Sequence, residues 1–528
     1  MAEVIAGCAI AVVAILLCSF LYAAWVAPAA TRRRLRRFEG PRPSFPLGNL
    51  AEIAASSSWY HHSNNNNKNT RADAGEIISG GDIHGRVFPY FARWRSAFGK
   101  VFVYWLGTEP FLYVADPEFL KSITAGALGK SWGKPDVFRR DRMLMFGRGL
   151  VMAEGEEWAR HRHIIAPAFS ATNINDMIGV MVETTSKMLK EWSDEVASGE
   201  KVIDVERGVV RNAAEIIAQA TFGLTDDARV FQKLQAMQAM LFQSNRLVGV
   251  PMARLLHLRK SYEAWKLGRE IDALLLHIIQ SRQQRMQLQG NKNKRNNNDL
   301  LSLLLAAAGN DHEDDSNNKS KKKLTTRELV DECKTFFFGG HETTALALSW
   351  TLLMLAAHPE WQTALREEIQ EVLEDGLNAA SLGRLTKMGW VMNEVLRLYP
   401  PSPNVQRQAL RHIDDQQIPA GTNMWVDVVA MHHDPDLWGD DVNDFRPERF
   451  AKDPVHGGCR HRMGFLPFGF GGRICVGRNL TAMEYRVVLS MLLPRFHLSV
   501  APQYRHAPRI MLSLRPSNGI QLQLTPIN

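Results

Sequence analysis

The segment Phe468-Gly469-Phe470-Gly471-Gly472-Arg473-Ile474-Cys475-Val476-Gly477 sets a single cysteine among glycines at the point where helical periodicity begins. A thiolate placed there gains from the positive end of the helix dipole and from nearby backbone N–H groups, both of which favour the charged form. The glycines let the backbone approach a large flat ligand closely. The competing readings of Cys475 are an inert buried thiol, a zinc ligand and a catalytic nucleophile. The positions of Cys459, His456 and His461 fit no paired zinc spacing, and sequence alone nominates none of the 17 histidines as a base for the thiol.

Three further patterns lie upstream. Gly339-Gly340-His341-Glu342-Thr343-Thr344 falls in the middle of a long helical stretch, where each glycine costs about 1 kcal/mol relative to alanine. Thr343 can bond back to the carbonyl of Gly339 and open the helix there. Glu394 and Arg397 share one helical face, as an ion pair requires, ahead of Pro400-Pro401 and of Phe445-Arg446-Pro447-Glu448-Arg449-Phe450. Trp158 and Arg162 likewise share a face, and Arg407 follows Pro403; arginine suits bidentate binding of carboxylates.

The decapeptide is similar, position for position, to the haem-binding signature FxxGxRxCxG of the cytochrome P-450 superfamily. The resemblance covers essentially the whole chain and breaks none of the superfamily's motifs. It implies that Cys475 is the proximal iron ligand, with Phe468, Gly471, Arg473 and Gly477 forming the haem loop. Trp158 and Arg162, Arg407 and Arg473 then resemble cofactor-binding residues, the three arginines being propionate partners. Glu342 and Thr343 resemble the catalytic pair that steers protons during oxygen activation. Glu394, Arg397 and Arg449 resemble a structural network that holds the core of the haem loop. The implied cofactor is haem b, with NADPH acting indirectly through a reductase.

The implied activity is a membrane-anchored haem-thiolate monooxygenase that hydroxylates or oxidises a small apolar metabolite, with terpenoids and isoprenoid hormones as candidates. The motifs look most like those of plant microsomal enzymes in the clan containing gibberellin oxidases, cytokinin hydroxylases and secologanin synthase. The implied partners are dioxygen, membrane lipid and an NADPH-cytochrome reductase, for which Arg460, Arg462 and Arg478 are candidate docking residues. A haem-thiolate isomerase or dehydratase and a non-enzymatic haem-binding membrane protein are the alternatives; neither explains Gly339-Gly340 with Glu342-Thr343. Phe336, Phe337, Phe338, Val405 and the stretch 143–146 are candidate pocket walls. Arg139, Arg140 and Arg142 are expected in an exposed loop, either paired to Asp141 or recognising a carboxylate.

The elements that must position these residues are mostly helices. Periodicity predicts helices over 174–196, 209–221, 254–288, 326–357, 360–374, 390–399 and 477–493. The pattern Thr325-Thr326-Arg327-Glu328 caps the longest of them, which must end before Pro359. Short strands are predicted over 101–106, 111–114 and 424–429, with a C-terminal pair, 510–514 and 520–524, around Pro516-Ser517-Asn518-Gly519. The expected fold is mainly α with small peripheral β-sheets, a cytochrome P-450 fold preceded by one transmembrane helix. Motifs spread from 158 to 477 must converge on one cofactor, which excludes the several domains that 528 residues would otherwise suggest.

The run 4–26 carries no charge and as a helix spans roughly 35 Å, more than the roughly 30 Å hydrocarbon core. Glu3 precedes it and Arg32, Arg33, Arg34, Arg36 and Arg37 follow, which predicts a lumenal N-terminus and a cytosolic body on the endoplasmic reticulum. Residues 1–31 are therefore read as the anchor, 32–50 as a basic, proline-rich hinge and 51–528 as one catalytic domain. Asn-rich polar loops are expected near 56–75, 291–298 and 310–323. Half of the net charge of +8 lies before residue 43, leaving the rest too dilute for nucleic acid. Five cysteines, two of them in the apolar run, exclude a disulfide framework.

Overall fold

The helix Thr326–Ala357 runs through the middle of the protein, and its start is set by chemistry visible in the chain. Thr325 Oγ1 accepts from the Glu328 N–H at 3.2 Å while a Glu328 carboxylate oxygen accepts from the Thr325 N–H at 2.8 Å. The helix ends at His358, one residue before Pro359. Nearly all of its side chains are buried, so it is a core helix with apolar neighbours on every side. Helix Val205–Phe222 lies along it, where the ring of Phe222 stacks on Phe337 at 4.1 Å. Near its C-terminal end Trp350 stacks on Tyr399, just past helix Thr386–Leu398, at 4.4 Å.

This is a computed structural model, and it describes residues 1–56, 81–223, 229–244, 247–253, 258–289, 300–308, 324–374 and 376–527. The three polar tracts expected as loops, apart from Ser56, lie outside the described residues. So do the first residues, 254–257, of the helix predicted over 254–288; its described part is Leu258–Gln289.

A five-stranded sheet with order β1-β2-β6-β5-β3 flanks the helices: β1 Val101–Leu106, β2 Glu109–Val114, β3 Trp132–Gly133, β5 Asn404–Ala409 and β6 Asn423–Asp427. Only the β2–β6 pairing is parallel. A three-stranded sheet pairs β4 Val202–Asp204 and β7 Phe496–Val500 with β10 Gln521–Pro526 between them. The C-terminal strands therefore differ from the expected pair. β8 Pro508–Met511 turns at Leu512 and pairs with β9 Ser513–Pro516, while the residues after Gly519 join the other sheet. Leu512 holds φ +78°, a left-handed conformation rare for leucine, so no turn residue marks that hairpin.

A second correction concerns the arginines before Trp158. They lie on a helix, Asp136–Phe146, not in a loop. Arg139 reaches Asp136 at 3.4 Å and Glu154 at 3.9 Å. Arg142 turns inward instead, with Nη2 donating to Gln406 Oε1 of β5 at 2.5 Å.

The N-terminal rod is helical from Ala2 to Arg34, with a π-turn at Tyr22–Val26 just ahead of Pro28. A proline has no N–H to donate, and a local widening re-seats the helical bonds around it. The helix from Val4 to Arg34 is long and apolar enough to cross a membrane, and its apolar stretch is not buried against the body. Beyond it, the chain from Glu39 to Asn49 lies along β1: Val103 N–H donates to Glu39 O at 2.9 Å and Asn49 N–H to Trp105 O at 2.8 Å.

Helix Arg478–Leu492 carries a carboxyl that is out of place. Glu484 is fully buried, and neither carboxylate oxygen has a hydrogen-bond partner among the described residues. Burial alone pushes its pKa well above the ordinary carboxylate range. The folded chain thus keeps a proton that the unfolded chain releases above about pH 4.3, so stability falls as pH rises from there toward the raised folded pKa. Glu484→Gln should remove this dependence. Its stability advantage over the parent should grow as pH rises from about 5.5 to about 7.0; an advantage equal at both pH values in thermal unfolding would contradict the assignment.

Candidate functional site

The glycine loop is closed on itself before the helix begins. Cys475 N–H donates to Phe468 O at 2.9 Å, and Ile474 N–H donates to Gly471 O at 3.2 Å. Gly469 and Gly471 hold φ of +77° and +66°, which a side chain there would resist. Cys475 is exposed at the surface, although protein surrounds much of its sulfur. Burial raises the thiol pKa above its ordinary value, against the opposing pull of the Gly477 and Arg478 N–H groups and of Arg162. Desolvation thus outweighs the helix start, which alone would depress the thiol. A coordinated metal is what deprotonates such a sulfur outright.

Helix Gly155–Ile165 brings Trp158 and Arg162 to the loop. Arg162 Nη1 donates to Ile474 O at 3.0 Å, next to the cysteine. The guanidinium of Arg473 lies over the Trp158 ring at 4.9 Å and donates to Ala153 O at 2.8 Å. Arg407, on β5, is 8% exposed and sits over Phe470 at 5.8 Å. A residue without any sequence signal joins them: Lys134, whose ammonium is held well below its ordinary pKa by burial and then by Arg407, Arg473 and Arg142, with Glu154 opposing. Arg407 in turn is lowered to about 10 by burial and then by Arg473 and Arg142.

One aromatic contact and one hydroxyl contact carry the loop to the central helix. A Cβ on Gly477 would lie 3.9 Å from both Cys475 Sγ and Phe169 Cε1, and Phe169 packs on Phe336 with ring centroids 5.8 Å apart. Thr344 Oγ1 and Thr481 Oγ1 are 3.1 Å apart, joining the central helix to the helix that follows Cys475. The two glycines of the central helix divide the work. A Cβ on Gly340 would lie 2.6 Å from Ile217 Cδ1, so this glycine admits a neighbouring helix; a Cβ on Gly339 would meet nothing within 4 Å, and that face is exposed. Thr343 Oγ1 donates to Gly339 O at 2.9 Å as expected, yet the helix stays α-helical through 357 and does not open. His341 is buried, bonded to Phe337 O and edge-on to Phe231, so it packs. Phe337 also belongs to the core; Phe338 meets Phe146, at 4.9 Å.

Beneath the loop lies the charged network. Arg397 Nε and Nη2 reach the two oxygens of Glu394, both at 2.7 Å, and both side chains are fully buried. Arg449 adds a 3.4 Å contact to Glu394 and a 2.8 Å bond to Asp441. His432 links the network to the loop. Its Nδ1 lies 3.2 Å from Arg397 O, and Leu466 N–H donates to its Nε2 at 2.9 Å, so the proton sits on Nδ1. Burial, then His433 and Arg397, lower the His432 pKa to about 3, which keeps it neutral.

An exposed sulfur, an open helix face at Gly339 and a cluster of cations with Glu154 as its one acid among the described residues fit haem: Cys475 would take the iron, and Lys134, Arg407 and Arg473 would face its two carboxylates. The comparisons agree. The family model described as Cytochrome P450 matches residues 75–524. A cytokinin hydroxylase of Arabidopsis thaliana is 34% identical over 95% of this chain and 94% of its own length. Cytochrome P450 714C2 of Oryza sativa subsp. japonica is 31% identical over 97% and 96%, and Cytochrome P450 709B1 of Arabidopsis thaliana is 34% identical over 96% and 95%. Since the matched span takes in the thiolate loop, the central helix and the charged network together, the chain belongs to the cytochrome P450 family and is a haem-iron monooxygenase.

Proposed function

We propose that this monooxygenase is anchored in the endoplasmic reticulum membrane by its N-terminal helix, with the catalytic body on the cytosolic side, and acts on a small apolar metabolite of the isoprenoid-hormone or terpenoid class. The three arginines in the last turn of that helix support the orientation. The cytokinin hydroxylases among its relatives support the substrate class. An NADPH-cytochrome reductase supplies the electrons; Arg460, Arg462 and Arg478 are exposed around the loop and offer cations to an acidic partner.

The observation that carries the reading is the division of labour at Gly339 and Gly340, which leaves Thr343 beside an open helix face. Bound haem supplies dioxygen activation, one atom entering the substrate and the other leaving as water. Cys475 holds the iron, Arg162 steadies the loop by its bond to Ile474 O, and Lys134, Arg407 and Arg473 orient the carboxylate edge. Glu342 and Thr343 are the groups that hold protons, the Thr343 hydroxyl being half-buried and bonded to Gly339 O.

Thr343→Ala should leave substrate affinity intact and lower product formed per NADPH consumed by about tenfold, less than the roughly 10²–10⁴-fold of a positioned proton donor because Glu342 remains. Unchanged coupling would remove Thr343 from the reaction. For the substrate, a titration of the ferric protein with cytokinins, gibberellins, other terpenoids and fatty acids should give a saturable low-to-high-spin shift with an isoprenoid class. A shift with fatty acids alone would overturn that class.

A further inference from the structure

Glu342 is the one acid of the Gly339–Thr344 segment, and its surroundings are unusual for a group that must exchange protons. It is 3% exposed, and a single oxygen, Oε1, takes two hydrogen bonds and one longer contact to a guanidinium. Ser513 Oγ donates to it from β9, Gln238 Nε2 donates at 3.1 Å from helix Arg229–Ser244, and Arg515 Nη2 lies 3.6 Å away. Gln238 uses the same amide nitrogen to reach Met511 O of β8 at 3.1 Å. The carboxylate is therefore pinned through one oxygen by side chains of two elements outside the central helix, while the adjacent Thr343 hydroxyl is bonded within the helix to Gly339 O.

We propose that Ser513 and Gln238 are positioning residues for proton delivery: by holding Glu342 through Oε1 they fix its rotamer and leave Oε2 as the oxygen that gives and takes the proton. The proposal rests on the reading of Glu342 as the proton-delivering acid. Two neutral donors suit this task better than a close ion pair. A carboxylate locked to a guanidinium at full contact holds its charge and resists protonation, whereas hydroxyl and amide donors orient the group at smaller cost to proton exchange.

Arg515 stands back from full contact and shares its charge. It also faces a second carboxyl, Glu206, and one guanidinium cannot neutralise both. Burial, partly relieved by Arg515 and Arg509 and reinforced by Asp204 and Glu342, holds Glu206 up at about 7. Glu206 therefore carries an exchangeable proton near neutral pH.

The test is a set of full-length holoenzyme variants read by product per NADPH, hydrogen peroxide released, and the spin-shift dissociation constant of the same substrate. Ser513→Ala and Gln238→Leu should each lower product per NADPH by about fivefold, the worth of one lost donor, with the dissociation constant unchanged and thiolate ligation retained. Ser513→Thr, which keeps the hydroxyl, should restore coupling. In a Glu342→Gln background, itself uncoupled, neither change should add further loss, because the group they aim is already disabled. Parental coupling in both single variants overturns the proposal, as does a loss that multiplies with that of Glu342→Gln, which would mark a merely structural role. Parental coupling in Glu342→Gln itself removes the acid from the reaction, and the proposal falls with it.

Discussion

Cys475→Ser should fold and yet lose the spectrum and the reaction. The loop does not depend on the sulfur for its shape: the Cys475 backbone N–H bonds Phe468 O, Ile474 O takes Arg162, and both interactions survive the substitution. A serine hydroxyl is a neutral, weak ligand at any working pH, so electron density is no longer pushed onto the iron. Helical content and the thermal transition should stay near those of the parent. The reduced carbonyl complex should lack thiolate character, and product formation should fall to background. Turnover within a few-fold of the parent would show that another group carries the iron, because no other cysteine belongs to this loop.

The features legible in the chain were those whose chemistry is local. Thr325, Glu328 and Pro359 bound the central helix to within a residue, since caps and prolines act over one turn. The loop could be read because glycine φ angles, a thiol and a helix start are all specified within ten residues. What stayed hidden depends on distance. Lys134 has no motif around it; only folding brings it to Arg407 and Arg473. Gly339 and Gly340 are chemically identical, and the neighbour Ile217 alone tells them apart. The β8–β9 hairpin was obscured because Pro516-Ser517-Asn518-Gly519 carries every turn signal and Leu512 carries none. Helix Asp136–Phe146 carries helix signals, an acid at its first position after Pro135 and Gly147 at its end, but its three arginines and Asp141 give the segment the polarity of an exposed loop.

Arg397→Leu should be among the most destabilising single changes in the protein. Arg397 and Glu394 are both fully buried, and the guanidinium also serves the carbonyls of His432, Val442 and Asp444 at 3.1, 2.5 and 3.2 Å. Removing it strands three carbonyls and leaves the buried Glu394 carboxylate with only the Arg446 N–H at 2.9 Å and the long Arg449 contact, a loss of about 3–5 kcal/mol. The damage should reach the active site by a defined route: Arg397 O faces His432 Nδ1, and His432 Nε2 accepts from Leu466 at the start of the loop. The fraction of protein showing thiolate ligation should therefore fall along with the Tm. Arg397→Lys should rescue little, because one ammonium cannot replace a guanidinium donating to a carboxylate and three carbonyls at once. Pairing Arg397→Leu with Glu394→Leu removes the stranded charge, and Arg449 keeps Asp441 as partner. The double variant should then be more stable than the sum of its single variants predicts, as measured in a double-mutant cycle. Simple additivity would mean that packing against Trp438, 5.2 Å from the guanidinium, and not the charge pair, accounts for the loss.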